Sequence, residues 1–418
     1  MSKFSDVFKN RNFLLLWWGQ IISQFGDKLN QMALIALVYQ RAPGSAMELA
    51  KIISWTIIPV FLIGPLAGVY VDRWPRRKTM FACDFIRAGL VLLIPLFLFI
   101  QRSILPIYVL IFLAFSVGRF FVPAKMSILP NLVERKELLL ANSLITTTGM
   151  IAAALGFGLG GVLVDWLGAR AGFYIDGLTF FVSAILIFCI RGITDKKVGK
   201  NIVELGRDVL ETFKKSVFCE MKEGIFYLVK EKKLCYIIGI LFLLWAALGS
   251  VYAVIIVFVQ EALGSVTKDL GLLVVFLGAG LFSGSLAYGR LGQRVSLFKA
   301  IFMSLFGGGL TLVVFALALR GGADFWMAGG LAFILGLVIA PTISASNTLI
   351  HRVTHNEMRG KVFSSLEVMM HLPFLLSMMI SASLADRLGA GNIIVGSGAA
   401  LTVAGVVGLA RIQDRRLF

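Results

Sequence analysis

Asp27, Arg119, Glu367 and His371 stand inside long apolar stretches of this sequence. A charge held at the centre of a lipid bilayer costs about 2.5–3.5 kcal/mol on insertion scales, so ionisable residues inside a span are the first candidates for function. Asp27 sits midway through the first apolar stretch, with Lys28 about 100° further round the helix. Arg119 lies about 9 Å inside Lys125 on the same helix. Glu367 and His371 are four apart, so they share one helix face, and Pro373 loosens the helix just beyond them. His371 is the one histidine within a span, and imidazole exchanges protons near neutral pH. Asp84 and Arg87, three apart, are expected to neutralise each other, and Asp176 near the outer end of its span is read as structural in the same way.

A second set of charged residues lies between two apolar runs. The segment Gly68-Val69-Tyr70-Val71-Asp72-Arg73-Trp74-Pro75-Arg76-Arg77-Lys78 places one carboxylate among four cations. Hydrocarbon cannot hold that cluster, so it lies in water at a membrane face. Cytoplasmic loops collect Lys and Arg, which puts it on the cytoplasmic side.

These residues need an apolar framework, and the composition supplies one. Of 418 residues, 58% are apolar and 15% charged, against about 25% charged in soluble domains. Twelve apolar runs are long enough to cross a bilayer as helices, each needing about 20 residues. They cover roughly 12–40, 47–71, 79–101, 105–127, 140–165, 170–190, 234–260, 268–289, 296–320, 323–346, 362–386 and 390–411. The runs are too long and too little alternating for barrel strands. With the N-terminus inside, cytoplasmic segments hold 30 Lys and Arg against 7 outside, which predicts both termini in the cytoplasm. The formal charge of +17 is spread over these short loops rather than one soluble face, which argues against nucleic acid as a partner. Cys83, Cys189, Cys219 and Cys235 form no C-x-x-C pair and are read as free thiols. The first apolar run exceeds a signal-peptide core and is expected to stay as the first span.

The two halves of the chain echo each other. Pro123 matches Pro341, the stretch 161–168 matches 382–389, and the basic segment around Asp72 has a counterpart around Gly289, at offsets of 217 to 221. Two six-helix bundles are expected: residues 1–190 and 234–418, joined by a cytoplasmic linker, 191–233. Transporters built from repeats place the substrate between the halves near the midplane. Within the linker, Leu205, Val209, Phe213, Val217, Met221, Ile225 and Leu228 form one apolar stripe, predicting an amphipathic helix on the inner leaflet.

The pattern G-x-x-x-D-R-x-x-R-R-K at 68–78 resembles the signature loop of the major facilitator superfamily of secondary transporters, with Pro75 where that family usually has glycine. Val122-Pro-Ala-Lys-Met-Ser-Ile-Leu-Pro130, Leu140-Ala-Asn-Ser-Leu144, Gln24-Phe-Gly-Asp27 and Arg359-Gly-Lys-Val-Phe363 are similar to its drug:proton antiporter branch, which includes macrolide-efflux and siderophore-export proteins. Gly160-Gly-Val-Leu163 with the Pro-Ala-Lys run also resembles bacterial lysophospholipid transporters. The antiporter branch expects a proline at Phe157.

The resemblance implies that Asp27 is a substrate or proton site and Arg119 a proton-transfer residue. It also implies that Gly68, Asp72, Arg73, Arg76 and Arg77 form a gate, with Asp72 facing the N-terminus of span 11. The expected function is proton-coupled export of amphipathic or apolar small organic molecules by alternating access. The protein would work as a monomer in a bacterial inner membrane, among lipid and without cofactor or bound metal. One alternative is a lysophospholipid flippase of the same fold; a remoter one is a divalent metal exporter, since Asp27 resembles a ferroportin position. No H-E-x-x-H, G-x-S-x-G or P-loop pattern occurs, so the sequence offers no enzyme motif and no direct ATP coupling.

Overall fold

The computed structural model describes residues 4–71, 74–100, 104–191, 232–291, 295–353 and 359–414. Every regular element among them is helical. In hydrocarbon each backbone N–H and C=O must be satisfied within its own segment, and helices achieve this. A short α1 (Phe4–Lys9) precedes α2 (Arg11–Arg41), α3 (Ala46–Leu62), α4 (Gly64–Val71), α5 (Arg76–Ile100) and α6 (Leu105–Ile128). After a 3₁₀ turn comes α7 (Leu138–Phe188), and then α8 (Lys232–Leu263), α9 (Lys268–Leu291), α10 (Leu297–Arg320), α11 (Phe325–Val353), α12 (Arg359–Leu388) and α13 (Ala390–Asp414).

Each of the twelve expected runs lies on this helical set. Eight described helices are long and apolar enough to cross a membrane. One of them, α7, is 51 residues long and is broken at Gly168, where φ is 82° and ψ 164°. That backbone conformation favours glycine, so the fifth and sixth runs meet at a single residue without a loop. The remaining runs lie on α2, on α3 with α4, and on α12. The second run is interrupted at Ile63. Pro65 falls in the first turn of α4, where its missing N–H costs nothing, and the helix restarts there.

The chain divides into two compact units. The first comprises residues 1–37 and 52–219; the second comprises residues 38–51 and 220–418. In the first, α5 packs on both α6 and α7. Its core gathers Phe13 and Leu16 of α2, Met80 of α5, Phe121 and Ile128 of α6, and Ile187 of α7. In the second, α9 packs on α11, α10 on α13 and α8 on α12. Its core includes Ile240, Ile301, Phe302 and Leu305. Large apolar side chains on the outer surfaces, such as Trp166, Phe282 and Trp326, are exposed, as a lipid-facing surface requires.

Glycines set how closely these helices approach. A Cβ at Gly156 or Gly160 of α7 would meet the α2 backbone at Phe25 and Leu29 within about 3 Å. One at Gly280 or Gly284 of α9 would strike the carbonyl oxygens of Phe333 and Leu337 on α11. The run Gly307-Gly308-Gly309 invites a bend in sequence, yet α10 runs unbroken through it. There Gly309 lies against the backbone of α13 at Gly398 and Thr402, so the glycines serve close packing instead. The linker helix expected at 191–233 lies outside the described residues from position 192 to 231.

Candidate functional site

In the first unit, α2 presents Gln20, Ser23, Gln24, Asp27, Lys28 and Gln31 toward one cavity. Their three- and four-residue spacing puts them on one face of the helix. The cavity has a volume of about 350 Å³ and is completed by Arg87 of α5 and by Phe115, Gly118, Arg119, Phe121 and Val122 of α6. Its wall therefore carries amides, both signs of charge and an apolar strip.

The charged groups are held in specific pairings. Arg87 Nη2 donates to Asp27 Oδ1 in an ion pair, with Arg87 nearly buried and Asp27 about one-third exposed to the cavity. The guanidinium lies over the ring of Phe180 at 3.8 Å from its centroid. Such a stack stabilises a desolvated cation by about 2 kcal/mol or more. Arg87 thus pairs with Asp27, not with Asp84 as its spacing suggests. Asp84 instead accepts a 2.6 Å hydrogen bond from Ser183 Oγ on α7. Asp176 on the same helix accepts from Asn30 Nδ2 of α2 and, at 3.2 Å, from its neighbour Thr179. Asp84 and Asp176 are fully buried. All three carboxylates act electrostatically on the one guanidinium.

Local packing explains why these groups meet. A Cβ at Gly26 would fall 1.9 Å from Thr179 Oγ1 and 2.4 Å from Asp176 Oδ1, so the missing side chain lets α2 close on α7 beside Asp27. Gly118 of α6 lies beside the Arg87 side chain, where an added Cβ would make ordinary contact at 3.4 Å. Lys125 donates to Gln20 at 2.7 Å, and Lys28 lies 5.1 Å from the Phe157 ring centroid.

Of the residues singled out from sequence, Asp27 and Arg119 line the same cavity. His371 belongs to the second unit, on α12, with its ring 5.2 Å from that of Trp245 on α8. Glu367 lies on α12 one turn earlier, but its side chain is outside the described residues. In the loop motif, Arg76 donates to the Ser127 carbonyl at 2.6 Å and Arg77 to the Ile190 carbonyl. These are carbonyls at the C-terminal ends of α6 and α7, where a cation also meets the negative end of the helix dipole. Gly68 is in α4, with its surroundings undescribed, and Asp72 and Arg73 lie outside the described residues. Among the described residues no group of His, Cys, Asp and Glu is arranged to hold a metal ion.

Sequence reasoning passed over Arg87 as the partner of Asp27 and over Asp84 and Asp176 as carboxylates near the same guanidinium. The recurring Gln, Ser and Asp face of α2 was the signal that could have located the cavity wall.

Three comparisons bear on identity. The chain is 27% identical over 363 residues to the uncharacterized MFS-type transporter YkuC of Bacillus subtilis, covering 85% of this chain and 81% of that one. It is 24% identical to macrolide efflux protein A of Streptococcus pyogenes, covering 94% of each. Its fold matches a crystal structure of peptide transporter POT in complex with alafosfalin, with a TM-score of 0.75, 16% identity, and coverage of 97% of this chain and 95% of that one. The family model of the Major Facilitator Superfamily matches residues 16–378, and the chain belongs to that family of membrane transporters.

Proposed function

We propose that this transporter exports amphipathic or apolar small organic molecules in exchange for protons, by alternating access. The observation that carries the reading is the cavity wall of the first unit. It combines an apolar strip at Phe115, Phe121 and Val122 with the Asp27–Arg87 ion pair. The apolar strip suits a greasy body, while the carboxylate offers one group for which a proton and a substrate compete. Similarity to macrolide efflux protein A supports export as the direction. Arg119 on the same wall, and Glu367 with His371 in the second unit, are the further candidates for passing protons. Both termini would be cytoplasmic, in an inner membrane, with the protein acting as a monomer. The segment Gly68, Asp72, Arg73, Arg76 and Arg77 would gate the cytoplasmic side.

The test uses inside-out membrane vesicles. Energised vesicles containing the transporter should accumulate erythromycin or ethidium, and a protonophore should abolish the accumulation. Asp27→Asn at equal expression should bring it to background, and Asp72→Asn should lower it without lowering expression. Accumulation that survives the protonophore would refute proton coupling; no accumulation of any cationic amphiphile would refute the substrate class.

A second reading, lysophospholipid flipping, is favoured by one feature. Asp27 lies on the cavity wall with Lys28 and Arg119, so both signs of a zwitterionic headgroup find a partner there. Movement of labelled lysophospholipid into spheroplasts, without accumulation of erythromycin or ethidium, would select this reading.

A further inference from the structure

Among the described residues five buried side-chain atoms have no hydrogen-bond partner: Asn30 Oδ1, Asp84 Oδ1, Arg87 Nε, Ser116 Oγ and Ser346 Oγ. Two of them complement each other. Arg87 Nε is a donor without an acceptor, and Asp84 Oδ1, an acceptor when ionised, has no partner. They are three residues apart on α5, the spacing at which helix side chains meet. An orphaned polar atom in a buried site is costly unless the site uses it in another state.

We infer that Arg87 has two positions, on Asp27 and on Asp84, and that the carboxylate without the guanidinium carries a proton. This deepens the exchange reading above and rests on it for its role in transport. In the position observed, Arg87 neutralises Asp27 and Asp84 is protonated. When a cationic group of a substrate claims Asp27, the guanidinium swings to Asp84 Oδ1. Its arrival displaces the proton from that oxygen, which leaves to water. Substrate binding and proton release are then one event, with charge conserved: one cation enters and one proton departs. Proton return to Asp84 frees Arg87 to reclaim Asp27 and expel the substrate.

The surroundings suit such a swing. Asp176, Phe180 and Ser183 follow one another along one face of α7, at i, i+4 and i+7. The Phe180 ring underlies the guanidinium, and Ser183 holds the other oxygen of Asp84, Oδ2. Gly118 of α6 lies beside the Arg87 side chain. Among the described residues the other charged or titratable groups around this cluster are Lys28 on α2, Cys83 on α5, Arg119 on α6 and Asp176 on α7, with Lys125 of α6 held on Gln20. Asp176 is held by Asn30 and Thr179. It therefore stays in place while Arg87 moves.

Infrared spectroscopy of the purified full chain, which needs no substrate, tests the switch. A protonated carboxyl group has a C=O stretching band distinct from that of a carboxylate. Ser183→Ala removes a hydrogen bond to Asp84 without touching a charge and should shift one such band. No shift would mean that Asp84 carries no proton, and would overturn the switch. Asp27→Asn should fold, because Asp84 accepts the guanidinium, and should lose that same band. A band that persists, or a variant that fails to fold, would equally overturn it. Should the spectra behave as expected while vesicles accumulate nothing, the switch stands and the export reading falls.

Discussion

The two units are built from similar long helices but spend their interiors differently. The first buries Asp84 and Asp176 outright and keeps Asp27 and Arg87 in an ion pair beside a cavity. Among the described residues of the second, the buried polar groups are all uncharged, Gln260, Thr267, Ser304, Thr342, Ser346 and Ser381. There the helices lock together through bare glycine backbone, as at Gly249 against Phe374, Gly280 against Phe333 and Gly309 against Gly398. A repeat in sequence therefore does not imply a repeat in chemistry. Among the described residues buried charge lies in the first unit, while close glycine packing occurs in both.

That contrast can be broken most forcefully at Arg87. Arg87→Ala leaves Asp27, Asp84 and Asp176 without their common cation. Removing one partner of a buried pair costs about 3–5 kcal/mol, so the purified protein should melt well below the wild type. Asp27→Asn should cost clearly less, because Asp84 takes the guanidinium; equal losses would mean that Arg87 has only one partner. Next in size is the second unit's packing. Gly280→Val would drive side-chain atoms into the Phe333 carbonyl, an overpacking worth about 1–3 kcal/mol. It should lower the melting temperature while leaving the Asp84 infrared band unchanged, which separates the packed unit from the charged one. Gly168→Ala forces a left-handed backbone on a side chain and should cost about 1–3 kcal/mol in a thermal melt. Smallest is Ser183→Ala, about 1 kcal/mol for one hydrogen bond, with its main effect spectroscopic rather than thermal.

The framework was legible because hydrocarbon imposes a single solution on the backbone. Each of the twelve apolar runs falls on helix, and the helix ends mostly lie within three residues of the runs' limits. Interior geometry was less legible. The i, i+3 spacing of Asp84 and Arg87 suggests mutual neutralisation, but a helix offers its side chains to neighbours as well as to itself. Gly26 lets α2 close on α7, and the Arg87 guanidinium is paired with Asp27 of α2. The three glycines at 307–309 lie in an unbroken helix, where Gly309 admits the backbone of α13. Asp27 and Arg119 stood out as charges in apolar sequence and do share a cavity wall. The amides at Gln20, Gln24 and Gln31 did not, since they violate no rule of the bilayer strongly enough to be noticed.

The elbow at Gly168 makes the two legs of α7 a single lever. One leg presses Gly156 and Gly160 against α2, and the other carries Asp176, Phe180 and Ser183 beneath the guanidinium. No loop separates the two legs. On the exchange proposed above, a tilt of the leg seated on α2 would bear directly on Asp176, Phe180 and Ser183.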